Sequence, residues 1–226
     1  MIRQLRNEID NFLSAIPSCP SRWFANESRD NLYEAYIFVI IANALLSRGW
    51  KMQHKNILGH IDPPNFIFRC APGKIWSRYR AYSYLHFMNQ GKEYELHIGI
   101  EVQGSSGVEN EIDVSLIESK EAELARKMPS KNKVNSSKVP IVVECKCYTN
   151  PLGKNIGREF LGLVKDLRNP KKSLRIMATN LDDTGFVSTM VRQHGLNFCD
   201  SLSPTASAAR LSSFTGFIAE FSRNLI

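Results

Sequence analysis

The chain has 226 residues, enough for one domain with a substantial core, and its 43% hydrophobic and 23% charged residues are ordinary for a soluble globular protein. Lysine and arginine exceed aspartate and glutamate by 29 to 22, a formal net charge of +7. That balance suits a polyanionic partner as well as it suits simple solubility. Five cysteines in a chain of this size exclude a disulfide scaffold, and no second cysteine or histidine pair stands at zinc spacing from Cys145 and Cys147, which read as buried apolar residues.

In chain order, residues 2–15 carry apolar side chains near a 3.6 period and predict a helix that ends before Pro17; a loop over 17–28 follows. Residues 30–48 predict a second helix closing at Gly49, apolar on nearly every side and therefore buried. Glu34 is the one charge between Leu32 and Leu46. It is either a carboxylate favoured by the helix dipole or a group set at the edge of a site by a core helix. The low-charge run Ala35–Ser47 is too short to span a membrane, and residues 1–14 lack a signal-peptide core, so a cytoplasmic protein without membrane association is expected.

Short strands are expected at 50–57 and 65–70, and residues 75–88 lean toward strand before a hairpin turn at Asn89–Lys92. Residues 93–103 alternate strictly, with Glu93, Glu95, His97, Glu101 and Gln103 on one polar face. Gly104–Gly107 reads as a flexible turn leading into a strand over 111–117. A helix over 118–128 is followed by a basic, mobile loop at 131–138. From residue 139 onward the order is strand, helix, strand, helix, strand, helix, at 139–147, 156–168, 173–179, 186–194, 196–199 and 205–224. That alternation predicts an α/β fold with crossovers.

The strand at 139–147 holds a puzzle. Ile141, Val142 and Val143 are apolar and β-branched, yet Glu144 and Lys146 follow two residues apart and so share a face. Charges on a buried strand are costly unless paired with each other, a metal or a substrate. Asp113 lies on an earlier strand; if the two strands are neighbours, Asp113 and Glu144 converge. Carboxylate oxygens of that kind suit Mg²⁺, which takes one or two carboxylates and keeps waters and phosphate oxygens, and Lys146 beside it would serve an attacking water or the developing charge.

Glu111-Ile112-Asp113-Val114 followed by Val142-Val143-Glu144-Cys145-Lys146-Cys147-Tyr148 resembles the restriction-endonuclease-like PD-(D/E)XK nuclease superfamily. The resemblance implies a mixed β-sheet flanked by helices, built from helix 30–48, strands 93–103, 111–117 and 139–147, helix 156–168 and strand 173–179, within a single domain over 1–226. It implies Asp113, Glu144 and Lys146 as catalytic residues. It further implies Glu34, Asp113, Glu144 and the backbone carbonyl of Cys145 as ligands of Mg²⁺, with Mn²⁺ as substitute. Ile112 stands where the simplest pattern has proline, and 31 positions separate Asp113 from Glu144, more than a tight hairpin needs. The insert holds Lys127, Lys131, Lys133 and Lys138, either a track for a nucleic-acid backbone or a solvated loop. Arg158 and His97 are further substrate-binding candidates, Glu111 an alternative ligand, and Glu101 and Gln103 candidate supports.

The expected function is a Mg²⁺-dependent endonuclease acting on DNA rather than RNA, in restriction, defence or repair, with specificity supplied by a homodimer or a partner protein. The alternatives are a non-catalytic nucleic-acid-binding or scaffold module of the same fold, and a small-molecule phosphodiesterase. No P-loop, no Gly-x-Ser-x-Gly elbow and no His-Glu-x-x-His helix occurs in the sequence.

Overall fold

A computed structural model describes residues 1–16, 28–78, 81–129, 133–167, 173–182 and 185–226, with 21–24 as backbone. Its elements run α1 (Ile2–Ser14), β1 (Ser21–Phe24), α2 (Arg29–Leu46), β2 (Lys51–Asn56), β3 (Asn65–Phe68), β4 (Ser83–Asn89), β5 (Lys92–Gln103), β6 (Glu109–Glu118), α3 (Ser119–Lys127), β7 (Ile141–Lys146), α4 (Lys154–Asp166), β8 (Leu174–Thr179), α5 (Phe186–Gln193), β9 (Asn197–Cys199) and α6 (Ala208–Ser222). Most expected elements are present, shifted by a few residues at their ends, but the strand read over 75–88 is confined to Ser83–Asn89. A second expectation also fails: Ser21–Phe24, read as loop, is a strand parallel to β3 in a small two-stranded sheet. Its partner lies more than 40 positions away, beyond the reach of local pattern.

The main sheet has seven strands in the order β2-β4-β5-β6-β7-β8-β9. Pairs from β2 to β7 are antiparallel, whereas β7–β8 and β8–β9 are parallel and joined through α4 and α5. The fold is therefore α/β with a mixed sheet. One face packs against α1, α2 and α6 through residues such as Ile37, Ile41, Leu96, Val114, Val143, Phe214 and Ile218. The other is covered by α3 beside Ile117 and Val142, and by α4 and α5 around Phe160, Met177 and Val187. Sandwiched between sheet and neighbouring helices, α2 buries almost every side chain from Leu32 to Leu45, which is why its sequence lacks a polar stripe. Among the described residues no helix is long and apolar enough to cross a membrane.

Two glycines shape the β5–β6 hairpin. Ile98 belongs to the α2 side of the sheet and Ile100 to the α3 side, so the alternation of β5 changes sides between them. Gly99, at φ +61°, occupies the left-handed region that makes this switch inexpensive. Gly104 lies so close to Asp166 that a Cβ there would meet Oδ2 at 2.0 Å. Asp166, at the end of α4, accepts from the Ser106 amide (2.8 Å), the Ser105 hydroxyl (3.1 Å), the Ser106 hydroxyl (2.8 Å) and the Asn110 amide (2.9 Å). The expected flexible turn is thus a tip tied to the crossover helix.

Candidate active site

β6 and β7 pair over three registers, Leu116 with Ile141, Ser115 with Val142 and Val114 with Val143. Beyond Val143 the named pairs stop, and a side chain replaces the missing ladder bond: Asp113 Oδ2 accepts the Cys145 N–H at 2.6 Å. Asp113 therefore sits in the seam between the strands, because the polar β6 residue falls where the neighbouring strand leaves an amide free. Ile141, Val143 and Cys145 face the α2 core, which sends Glu144 and Lys146 to the opposite face. There Lys146 Nζ donates to Glu144 Oε1 at 2.6 Å. Asp113, Glu144 and Lys146 are brought together as the sequence predicts.

Glu34 joins them from α2. The helix begins at Arg29, capped by Ser28, and Asp30 is the acidic residue of its first turn. Glu34 lies a turn further in, where the dipole has faded, so the dipole does not account for it. Burial, followed by repulsion from Asp113 and Glu111, raises its carboxyl to about 9. Burial, then Glu144, raises Asp113 to about 8 despite the opposing Cys145 hydrogen bond and the Lys146 charge. Glu111, on the exposed rim, is also raised by burial and by Glu144. For Lys146 burial acts downward, but the contact with Glu144 and the charge of Asp113 outweigh it and hold the ammonium firmly protonated. Asp113, Glu144 and Glu111 thus share the Lys146 ammonium, with Arg69 also acting on Glu111, while Glu34 feels only other carboxylates.

An additional cation would relieve this imbalance, and the oxygen donors present are those Mg²⁺ or Mn²⁺ prefers. Among the described residues no three His, Cys, Asp or Glu side chains gather closely enough to form a ready-made metal cage. Such a cage suits Ca²⁺ or Zn²⁺ better than Mg²⁺, which keeps much of its shell as water and substrate oxygen. The donor set therefore fits a magnesium-type ion held by one or two carboxylates.

The other candidates fall elsewhere. His97 was placed on a polar surface face; it is fully buried, its Nε2 2.9 Å from Glu95 Oε2, with Tyr84 stacked on its ring. Burial outweighs Glu95 and lowers its pKa, leaving it a neutral core residue out of contact with solvent. Glu95 is buried as well, because Arg126 of α3 closes over it with two 2.6 Å hydrogen bonds. Arg158 does not open α4; the helix starts at Lys154, and Arg158 is exposed in its second turn. Lys133 pairs with Glu109 (2.9 Å), Lys138 with Glu118 (3.1 Å) and Lys127 with Glu123 (3.3 Å), so these lysines meet glutamates of the fold. Lys131 lies outside the described residues. Glu101 is bound to Lys74 at 2.5 Å, and Gln103 donates to the Gly107 carbonyl.

Sequence reasoning missed two side chains that fix the end of β7. Arg29 Nη2 donates to the Cys147 carbonyl at 3.0 Å, and the Asn180 side chain bonds both the N–H and the C=O of Tyr148. Arg29 directly precedes the helix expected over 30–48, which is its one available signal. Compared with protein-family models, with curated proteins and with solved structures, the chain matches none.

Proposed function

We propose that the chain is a Mg²⁺-dependent nuclease of the restriction-endonuclease-like PD-(D/E)XK kind, hydrolysing phosphodiester bonds of DNA. The observation that carries this reading is the seam between β6 and β7. Asp113, Glu144 and Lys146 meet there, with Glu34 alongside, and the crowding of carboxyl groups makes Glu34 and Asp113 retain their protons. The element order α2, β5-β6-β7 meander, α4, β8 agrees with the core that the motif resemblance implies.

In the proposed mechanism Asp113 and Glu144 would hold the divalent cation, with the Cys145 carbonyl as a further oxygen donor and the Glu34 carboxyl beside them. When bound, the cation supplies Lewis acidity and an acidified water. The chain's own part is positional and electrostatic. The Cys145 amide fixes the Asp113 carboxylate, and Glu144 holds the Lys146 ammonium at the site. A protonated Lys146 is suited to orienting the attacking water and to stabilising negative charge on the phosphoryl oxygens as it develops.

Incubation of wild type, Asp113→Ala and Lys146→Ala with plasmid DNA in Mg²⁺ or Mn²⁺ tests the reading. Cleavage by wild type and its loss in both variants is expected; identical behaviour of all three across metals and substrates would overturn it. The Lys146–Glu144 contact, which neutralises both groups internally, favours a second reading as a non-catalytic nucleic-acid-binding module. DNA affinity without cleavage would support that one.

A further inference from the structure

β7 ends at Lys146, and the two residues after it are held from both sides. Arg29 reaches from α2 to the Cys147 carbonyl (3.0 Å). Asn180, just beyond β8, accepts the Tyr148 N–H on Oδ1 (2.8 Å) and donates from Nδ2 to the Tyr148 carbonyl (3.0 Å). The backbone of Tyr148 is therefore fixed at both of its polar groups. Its side chain is nonetheless 39% exposed and belongs to none of the core clusters. Core packing does not explain an exposed aromatic on so constrained a backbone. Tyr148 follows Lys146, the last residue of β7, by two positions, so its fixed backbone leaves the sheet at the end that carries the carboxylate site.

The surroundings extend the same chemistry. Because β7 and β8 are parallel, α4 and α5 both begin at this end of the sheet, the end where open α/β sheets receive ligands. Phe186, the first residue of α5, is 64% exposed, and Lys154, the first of α4, places its ammonium 5.0 Å from the ring centroid. Arg158 is exposed one turn along α4. Exposed aromatics interleaved with cations are the equipment of single-strand binding: unstacked bases lie on the rings and the cations follow the phosphates. A fully paired duplex keeps its base faces inside the stack and has no use for such rings.

We propose that Tyr148 is a substrate-binding residue that stacks on the base next to the scissile phosphate. The Phe186–Lys154 pair continues this platform along the strand, so that the preferred substrate is single-stranded or locally unpaired DNA. This deepens the nuclease reading, on which the position of the scissile phosphate rests.

The test separates binding from cutting. A fluorescently labelled oligonucleotide, single-stranded or annealed to its complement, is titrated with the full chain in Ca²⁺ and followed by anisotropy, with melting curves confirming folding. Wild type is expected to prefer the single strand. Tyr148→Ala weakens that binding about tenfold, Tyr148→Phe retains it, and Phe186→Ala gives a smaller loss, while the weaker duplex affinity barely moves. In Mg²⁺ the same loss appears in KM more than in kcat. Single-strand binding by Tyr148→Ala equal to wild type overturns the proposal. So does wild type that binds duplex as well as single strand, or binds neither. Cleavage of plasmid or oligonucleotide by wild type decides the nuclease reading independently, because a protein that cuts without using Tyr148 keeps that reading and loses this one.

Discussion

Two clusters of charge lie near the β5–β6 hairpin, and they are built on opposite principles. In the first, Glu95 is matched by the Arg126 guanidinium through two hydrogen bonds and by His97. Burial alone would raise the Glu95 carboxyl; these partners instead hold it at about 2. In the second, Glu111, Asp113 and Glu144 share Lys146 while Glu34 meets only their repulsion, and Glu34 and Asp113 are driven to about 9 and about 8. The first cluster is complete within the chain and locks α3 onto the sheet. The second has more carboxyl groups than its one ammonium matches, and protons on Glu34 and Asp113 make up the difference. Perturbed carboxylates by themselves do not identify a site, since both clusters have them; the direction of the perturbation separates a structural ion pair from a place prepared for a ligand.

The contrast predicts opposite responses to mutation. Arg126→Ala leaves the Glu95 carboxylate buried and without its guanidinium, and is expected to cost about 3–5 kcal/mol in urea unfolding. A loss below 1 kcal/mol would show that the cluster does not lock α3. Asp113→Asn should lower the cleavage rate by about two to three orders of magnitude while the melting temperature stays level or rises, because one member of a mutual repulsion has been removed. A matching fall in stability would instead make the seam structural.

Divalent cation comes next in size. Mg²⁺ at about a hundredfold over its dissociation constant stabilises a fold by about 2.7 kcal/mol. Calorimetry should show that shift in wild type, larger at pH 8 than at pH 6, and absent in Asp113→Asn. The smallest effect is the metal-free pH profile. Glu34 and Asp113 keep protons in the folded state that the unfolded chain releases near pH 4, so their contribution to stability falls between about pH 4.5 and 9. Glu95 has the reverse sign: its stabilisation is present above about pH 4.5 and is lost as pH falls toward 2. Denaturation midpoints measured in EDTA across this range should fall toward alkaline pH in wild type and flatten in Glu34→Gln.

What could be read from the sequence followed from local physics. The apolar helix around Ile37 and Ile41, the alternation after Glu93 and the paired charges in β7 are all encoded within a few residues. The meeting of Asp113 with Glu144 needed one assumption, that two strands are neighbours, and they are. The same alternation misled at Glu95 and His97, since polarity marks a face without saying whether something polar covers it. Arg126, 31 residues from Glu95, provides that cover. The pairing of β1 with β3, the change of sides at Gly99 and the clamps from Arg29 and Asn180 likewise depend on distant partners or on a single backbone angle.

The amide of Cys145 has a further use. Its proton rests on Asp113, a carboxyl group whose charge state any bound cation or proton would change, and β6 offers no backbone partner for it. Its ¹H–¹⁵N resonance is therefore a built-in gauge of occupancy. The peak should migrate as Asp113 is titrated or loaded, and it would report the state of the site in a sample that contains no DNA and carries out no reaction.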